Sequence, residues 1–164
     1  MNDIKELEKF QNHLYELATE VFEELGSGFK EDTLQQGLAI AFRQSSIKYL
    51  RETHLEIFYK KESLGLFRLD FLIPAQKNKK WKLNNPIVIE TKTSTKLGTD
   101  ARLQLKNYLI SAPKNNPEEL KSINEGFLLN WNNKLDPLNI NDDLNNVELE
   151  LWSLKRGNFK RLFP

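Results

Sequence analysis

The sequence predicts an α/β (α+β) fold: a central mixed sheet of four to five strands flanked by helices, in the order ααβββαββ. Three observations lead there. Apolar residues recur at helical spacing through roughly the first fifty positions, and the spacing then drops to two over two adjacent segments. Further on, two short apolar runs stand on either side of another helical stretch, the pattern of a crossover joining parallel strands.

The first helix spans residues 4–25, where Ile4, Leu7, Leu14, Ala18, Val21 and Leu25 mark one face between Glu and Lys. Gly26-Ser27-Gly28 interrupts it, and Glu31, Leu34, Leu38, Phe42 and Tyr49 carry a second helix to about Leu50. Leu55, Ile57 and Tyr59 then alternate with Glu56, Phe58 and Lys60, and Phe67, Leu69, Phe71 and Ile73 with Leu66, Arg68, Asp70 and Leu72, which makes two strands joined by a hairpin at Lys61-Glu62-Ser63. Pro74 ends the second strand. A lysine-rich connection over residues 75–85 leads into the apolar run Pro86-Ile87-Val88-Ile89, a more buried strand ending at Glu90. Residues 100–111 read as a helix that Pro113 stops, residues 118–121 as a short helix or loop, and Gly126 to Trp131 as a buried strand. An Asn- and Asp-rich surface loop over 132–146 precedes a last strand from Val147 to Trp152. The whole fits one domain, 1–164, with an N-terminal helix 1–25 and a core 28–155.

Composition narrows the chemistry. Cysteine is absent and only two histidines, His13 and His54, are present, so thiolate and ordinary zinc sites are excluded and a metal would be held by oxygen. Twenty-four Lys and Arg against 23 Asp and Glu leave no general attraction for a polyanion, so any nucleic-acid surface must be local. No basic segment followed by an apolar run opens the chain and no window is long enough to cross a bilayer, so the expected location is the cytoplasm, away from membranes.

Alternation along a strand projects Glu90 and Lys92 to one face, and Asp70 joins them if its strand pairs alongside. Two carboxylates at one point repel unless a cation lies between them, and hard oxygen ligands suit Mg²⁺, with Mn²⁺ able to substitute. An exposed ion pair at a strand end is the plainer alternative, because an acid two positions before a lysine also occurs at Asp3/Lys5 and Glu119/Lys121. Glu31 falls on the apolar stripe of its helix and needs a partner, a metal or Lys92; otherwise it is a first-turn acid favoured by the helix dipole. Gln104, Asn107 and Tyr108 share a helix face that could bond a phosphate or the lysine, or could simply be half-buried with Tyr108 in the core. Lys80, Trp81 and Lys82 lie in a basic run with an aromatic inside it, which fits contact with a nucleic-acid backbone and a stacked base, or a solvated loop.

At these residues the chain resembles the PD-(D/E)XK nuclease superfamily, and more narrowly its small GxxExxY-type proteins, over about residues 14–131. Gly28-Phe29-Lys30-Glu31-Asp32-Thr33-Leu34 is similar to the first motif, with Leu34 where tyrosine is usual. The segment from Leu64 to Leu72 resembles the strand bearing the first acid, Asp70, with Leu69 in place of the superfamily's proline. Ile87 to Lys92 resembles the second acid and lysine motif, Gln104 to Leu109 the helix after it, and Gly126 to Trp131 the next strand. The resemblance implies a restriction-endonuclease-like core and a metal-dependent nuclease, with DNA favoured over RNA. Asp70 and Glu90 would bind Mg²⁺ with support from Glu31, Lys92 would assist attack by water, and Gln104 would sit nearby. The competing reading is a catalytically silent module that binds nucleic acid or protein, and either reading allows a homodimer.

Overall fold

Asp3 starts the first helix by accepting hydrogen bonds on its carboxylate from the backbone N–H groups of Lys5 (2.8 Å) and Glu6 (3.3 Å). The helix, α1 (Ile4–Leu25), ends at Gly26, whose φ of 78° breaks the spiral. A second helix, α2 (Glu31–Gln44), lies against it. At Gly37 an added Cβ would fall 2.9 Å from Val21 Cγ1, so the glycine is what lets the two helices touch. The computed structural model describes residues 1–132 and 146–163; most of the expected loop at 132–146 lies outside them.

Helix α2 stops at Gln44, short of the expected Leu50. Ser46 takes a left-handed conformation (φ 56°), Ile47 N–H donates to Phe42 O and Ser46 N–H to Arg43 O, the paired bonds of a Schellman stop. Tyr49, which had extended the helical stripe, packs instead beside Phe42 and Phe71 as the chain enters a strand. That strand, β1 (Leu50–Tyr59), runs antiparallel to β2 (Glu62–Ile73). The turn between them is Lys60-Lys61, both with positive φ, one step earlier than expected. Inside the 75–85 connection two short strands, β3 (Gln76–Lys77) and β4 (Lys82–Leu83), form a small hairpin of their own.

The rest of the chain is β5 (Ile87–Lys92), α3 (Thr99–Ser111), α4 (Glu118–Lys121), β6 (Glu125–Trp131), β7 (Val147–Lys155) and β8 (Asn158–Arg161). The main sheet has six strands rather than four to five, ordered β1-β2-β5-β6-β7-β8, and only β5 and β6 run parallel. The added strand is β8. It folds back through Arg156-Gly157, both at positive φ, and is held by Phe159 stacked on Trp152 with ring centroids 4.5 Å apart.

Two cores lie on the two faces of this sheet. Phe10, Phe42, Phe71, Phe127 and Trp131 meet under α1 and α2, while Leu72, Val88, Leu105, Leu109 and Leu128 meet under α3. Strand β5 is buried on both faces, which is why its apolar run is unbroken: Ile87 and Ile89 enter the first core and Val88 the second. Gly126 allows α3 to sit close, since a Cβ there would come within 2.7 Å of Leu105 Cδ1 and 3.3 Å of Val88 O. Among the described residues no helix is long and apolar enough to cross a membrane. The architecture is α+β with a mixed sheet between helices, consistent with a restriction-endonuclease-like fold, and it leaves the last residues of β5 flanked by α2 on one face and α3 on the other.

Candidate active site

The even positions of β5 face α3, so Glu90 and Lys92 follow Val88 onto that side, and Thr91 follows Ile89 toward α2. The register Phe71↔Ile89 brings Asp70 to the same end of β5. Strict alternation in β2 breaks there: Leu69 and Leu72 both enter the core under α3 while Phe71 between them enters the other. The carboxylate of Asp70 turns toward Thr91, and its Oδ2 accepts from Thr91 N–H at 2.8 Å and lies 3.0 Å from Thr91 Oγ1.

Glu31 and Gln35 stand one turn apart on α2 and reach the same threonine. Gln35 Nε2 donates to Thr91 Oγ1 (2.7 Å) and lies 3.2 Å from Glu31 Oε1, and Glu31 Oε1 is 3.2 Å from Thr91 Oγ1. Arg51 in β1 donates through Nη2 to Gln35 Oε1 at 3.0 Å, which fixes the amide so that its NH₂ faces the threonine. With that donor occupying a lone pair, the hydroxyl's single hydrogen goes to Asp70 or Glu31. On the opposite face Lys92 Nζ donates to Gln104 Oε1 (2.7 Å) and lies 3.3 Å from Glu90 Oε1, and Gln104 Nε2 donates to Tyr108 Oη at 2.8 Å. The lysine is thus bonded to α3 beside the Glu90 carboxylate.

The charges here do not balance. Asp70, Glu90 and Glu31 carry three potential negative charges against the ammonium of Lys92. Glu90 is 3% exposed and its Oε2 has no hydrogen-bond partner among the described residues. Burial, then the charge of Asp70, pushes its carboxyl up to about 8, despite Lys92. Glu31 is raised for the same reasons, desolvation first and Asp70 second, and Tyr108 by burial and then Glu90. A cation placed between Asp70 and Glu90 would relieve each of these penalties, and the unpaired oxygen of Glu90 is a free donor for it. Among the described residues no three acids or histidines already form a ligand cage. Mg²⁺ does not need one, because it commonly takes one or two carboxylates and completes its shell with water and substrate phosphate.

Of the residues singled out from sequence, Glu31, Asp70, Glu90, Lys92 and Gln104 are brought together at this end of β5. Tyr108 is buried in the core under α3 with its hydroxyl on Gln104, and Asn107 is exposed on the rim of an adjoining cavity. Lys80, Trp81 and Lys82 are elsewhere. They precede the start of β5, about 15 Å of strand away from Lys92. Trp81 corrects the expectation of a stacking ring: it is 2% exposed, packs edge-on against Phe10 at 4.8 Å and donates Nε1 to His13 Nδ1 at 3.0 Å. Lys80 and Lys82 stay exposed along α1, Lys80 near Glu16 and the Lys82 N–H on Glu6. Sequence reasoning missed Gln35, Thr91 and Arg51. Gln35 was accessible in principle as the residue one turn after Glu31, but Arg51 sits at a strand position whose neighbours only the fold supplies.

A buried glutamate beside a half-buried aspartate, a tethered lysine and a helix glutamate, all at the end of a central strand, make an arrangement suited to metal-assisted hydrolysis. The family comparison agrees: residues 8–139 match the PD-(D/E)XK nuclease superfamily, and the chain belongs to it. No curated protein and no solved structure matches the chain. Members of this superfamily are nucleases that generally use divalent metals, and nucleic acid is their binding partner.

Proposed function

We propose that this protein is a nuclease that hydrolyses phosphodiester bonds with the help of Mg²⁺ or Mn²⁺, acting on DNA in preference to RNA. The observation that carries the reading is Glu90: a carboxylate buried in the sheet, paired with Lys92 on one oxygen and, among the described residues, with nothing on the other, and close enough to Asp70 for that acid to push its carboxyl up. Asp70 and Glu90 would hold the ion, with Glu31 supporting the shell through Thr91. When bound, the ion supplies charge neutralisation at the phosphate and a water of lowered pKa. Lys92 contributes the fixed positive charge, orienting water or countering the negative charge that builds on phosphate oxygens. Gln104 and Tyr108 keep that ammonium in place. Water adds to phosphorus, one ester P–O bond breaks and the departing oxygen takes up a proton, leaving a phosphomonoester and a hydroxyl.

The reading also carries finer assignments: the GxxExxY-type subgroup, one catalytic domain over 1–164, and a cytoplasmic location. The near-zero net charge of +1 favours a second reading, a nuclease-like module that binds without cutting. Purified protein should degrade or nick nucleic acid only with Mg²⁺ or Mn²⁺, and Lys92→Ala should slow this by at least about a hundredfold while circular dichroism shows an intact fold. Binding without cleavage under any divalent ion would favour the second reading.

A further inference from the structure

Two hollows meet at Gln104 and Asp100 on α3. One faces Lys92, between α3 and the loop after β5. The other, about 490 Å³, opens on the far side of Gln104, between α3 and the β1–β2 hairpin. The two are unlike in chemistry. The larger one is walled by Ile57 and Phe67 from the hairpin and by Leu103 and Ile110 from α3, with Asn107 at its rim. Phe67 and Leu103 are 48% and 49% exposed, large apolar surface left open beside a charged site. Among the described residues no lysine or arginine lines this cavity and Asp100 is its one charged side chain, so a phosphate would be repelled from it. It suits a flat, uncharged group that is apolar on its faces and polar at its edge, a nucleobase.

From this contiguity we infer that the cavity between α3 and the β1–β2 hairpin receives one unstacked base next to the scissile phosphate, so that the substrate is single-stranded, frayed or branched nucleic acid. The inference rests on the nuclease reading for placing a strand at Lys92. Phe67 offers a ring face, Leu103 the opposite wall, and the Asn107 amide can pair with a base edge. A base held here must leave its stack, which a duplex interior resists and a single strand does not. An apolar side chain of a second copy could fill the same space. The shared wall at Gln104, whose amide also holds the lysine, favours the base.

The test uses the full chain carrying Lys92→Ala, to prevent cutting, and single-stranded DNA and RNA oligonucleotides with one abasic residue moved along the strand. One position should appear where loss of the base weakens binding by about fivefold or more, and adding Phe67→Ala or Leu103→Ala should erase that dependence. Equal binding at every abasic position would overturn the proposal, as would a sensitive position that both variants leave unchanged. A dimer in sedimentation that Phe67→Asp dissociates would also overturn it, by making the groove a subunit interface. Cleavage is read separately with the unmodified chain: a protein that shows the sensitive position but never cuts keeps the base pocket and loses the nuclease reading. One that cuts without a sensitive position does the reverse.

Discussion

Glu90 and Glu150 are both nearly inaccessible glutamates on the main sheet, 3% and 5% exposed, and the molecule treats them in opposite ways. Glu150 in β7 accepts from Arg102 twice (3.0 and 2.6 Å) and from Trp152 Nε1 (2.8 Å), and Arg161 stands 3.5 Å away. Burial works to raise its carboxyl, but those donors hold it below the ordinary glutamate value. Glu90 has one lysine, two acids that raise it, Asp70 and Glu31, and one oxygen without a partner among the described residues. The first is a strut, complete within the protein. The second is incomplete, and what it lacks has the sign that a cation supplies. Burial of a carboxylate is therefore no marker of function by itself; what separates the two is whether the surrounding chain finishes neutralising it.

Removing each should break the comparison open. Glu150→Ala leaves Arg102 and Arg161 without their shared anion and should lower stability by about 2–4 kcal/mol, read from chemical denaturation. Glu90→Gln should move stability the other way, by about 1 kcal/mol upward in the absence of metal, since a neutral amide escapes the cost of burying an ionisable carboxyl, and then the repulsion from Asp70. Loss of stability in both would mean that Glu90 is a strut as well.

A smaller effect comes from His13, at the end of the sheet away from the site. Desolvation, then Lys80, lowers its pKa, partly countered by Glu16, and its Nδ1 must be unprotonated to accept from Trp81. A depressed folded-state value means that its contribution is fully present above the ordinary histidine range and is lost as pH falls through the lowered value. Glu90 works the other way over the same range, because its raised carboxyl favours the folded state as pH falls below about 8, so the His13 loss is read as a difference in slope. As pH falls through the histidine range, His13→Gln should gain more, or lose less, melting temperature than the wild type. Equal slopes in the two proteins would remove His13 as the source of such a loss.

The same contrast explains what could be read in the sequence. Glu90, Lys92 and Asp70 were legible because strand alternation and an apolar run are local signals, and Glu31 because it interrupts a helical stripe. The local signal misled at Tyr49, which continues the helical spacing but is turned out of it by Ser46 at positive φ, a stop usually made by glycine. Strand β8 was missed because a four-residue polar segment shows no pattern until Phe159 finds Trp152. Trp81 looked exposed among lysines because its partners, Phe10 and His13, lie some seventy residues earlier in the chain. Thr91 and Arg51 matter only through hydrogen bonds to other elements, which no spacing records.

The central claim is tested most directly by titrating Mn²⁺ or Mg²⁺ into the protein without nucleic acid while following thermal unfolding. At about one hundred times the dissociation constant the wild-type chain should gain about 2.7 kcal/mol, several degrees in melting temperature, and Glu90→Gln should gain almost none. The same gain in both proteins, or none in the wild type at any concentration of either ion, would contradict the account.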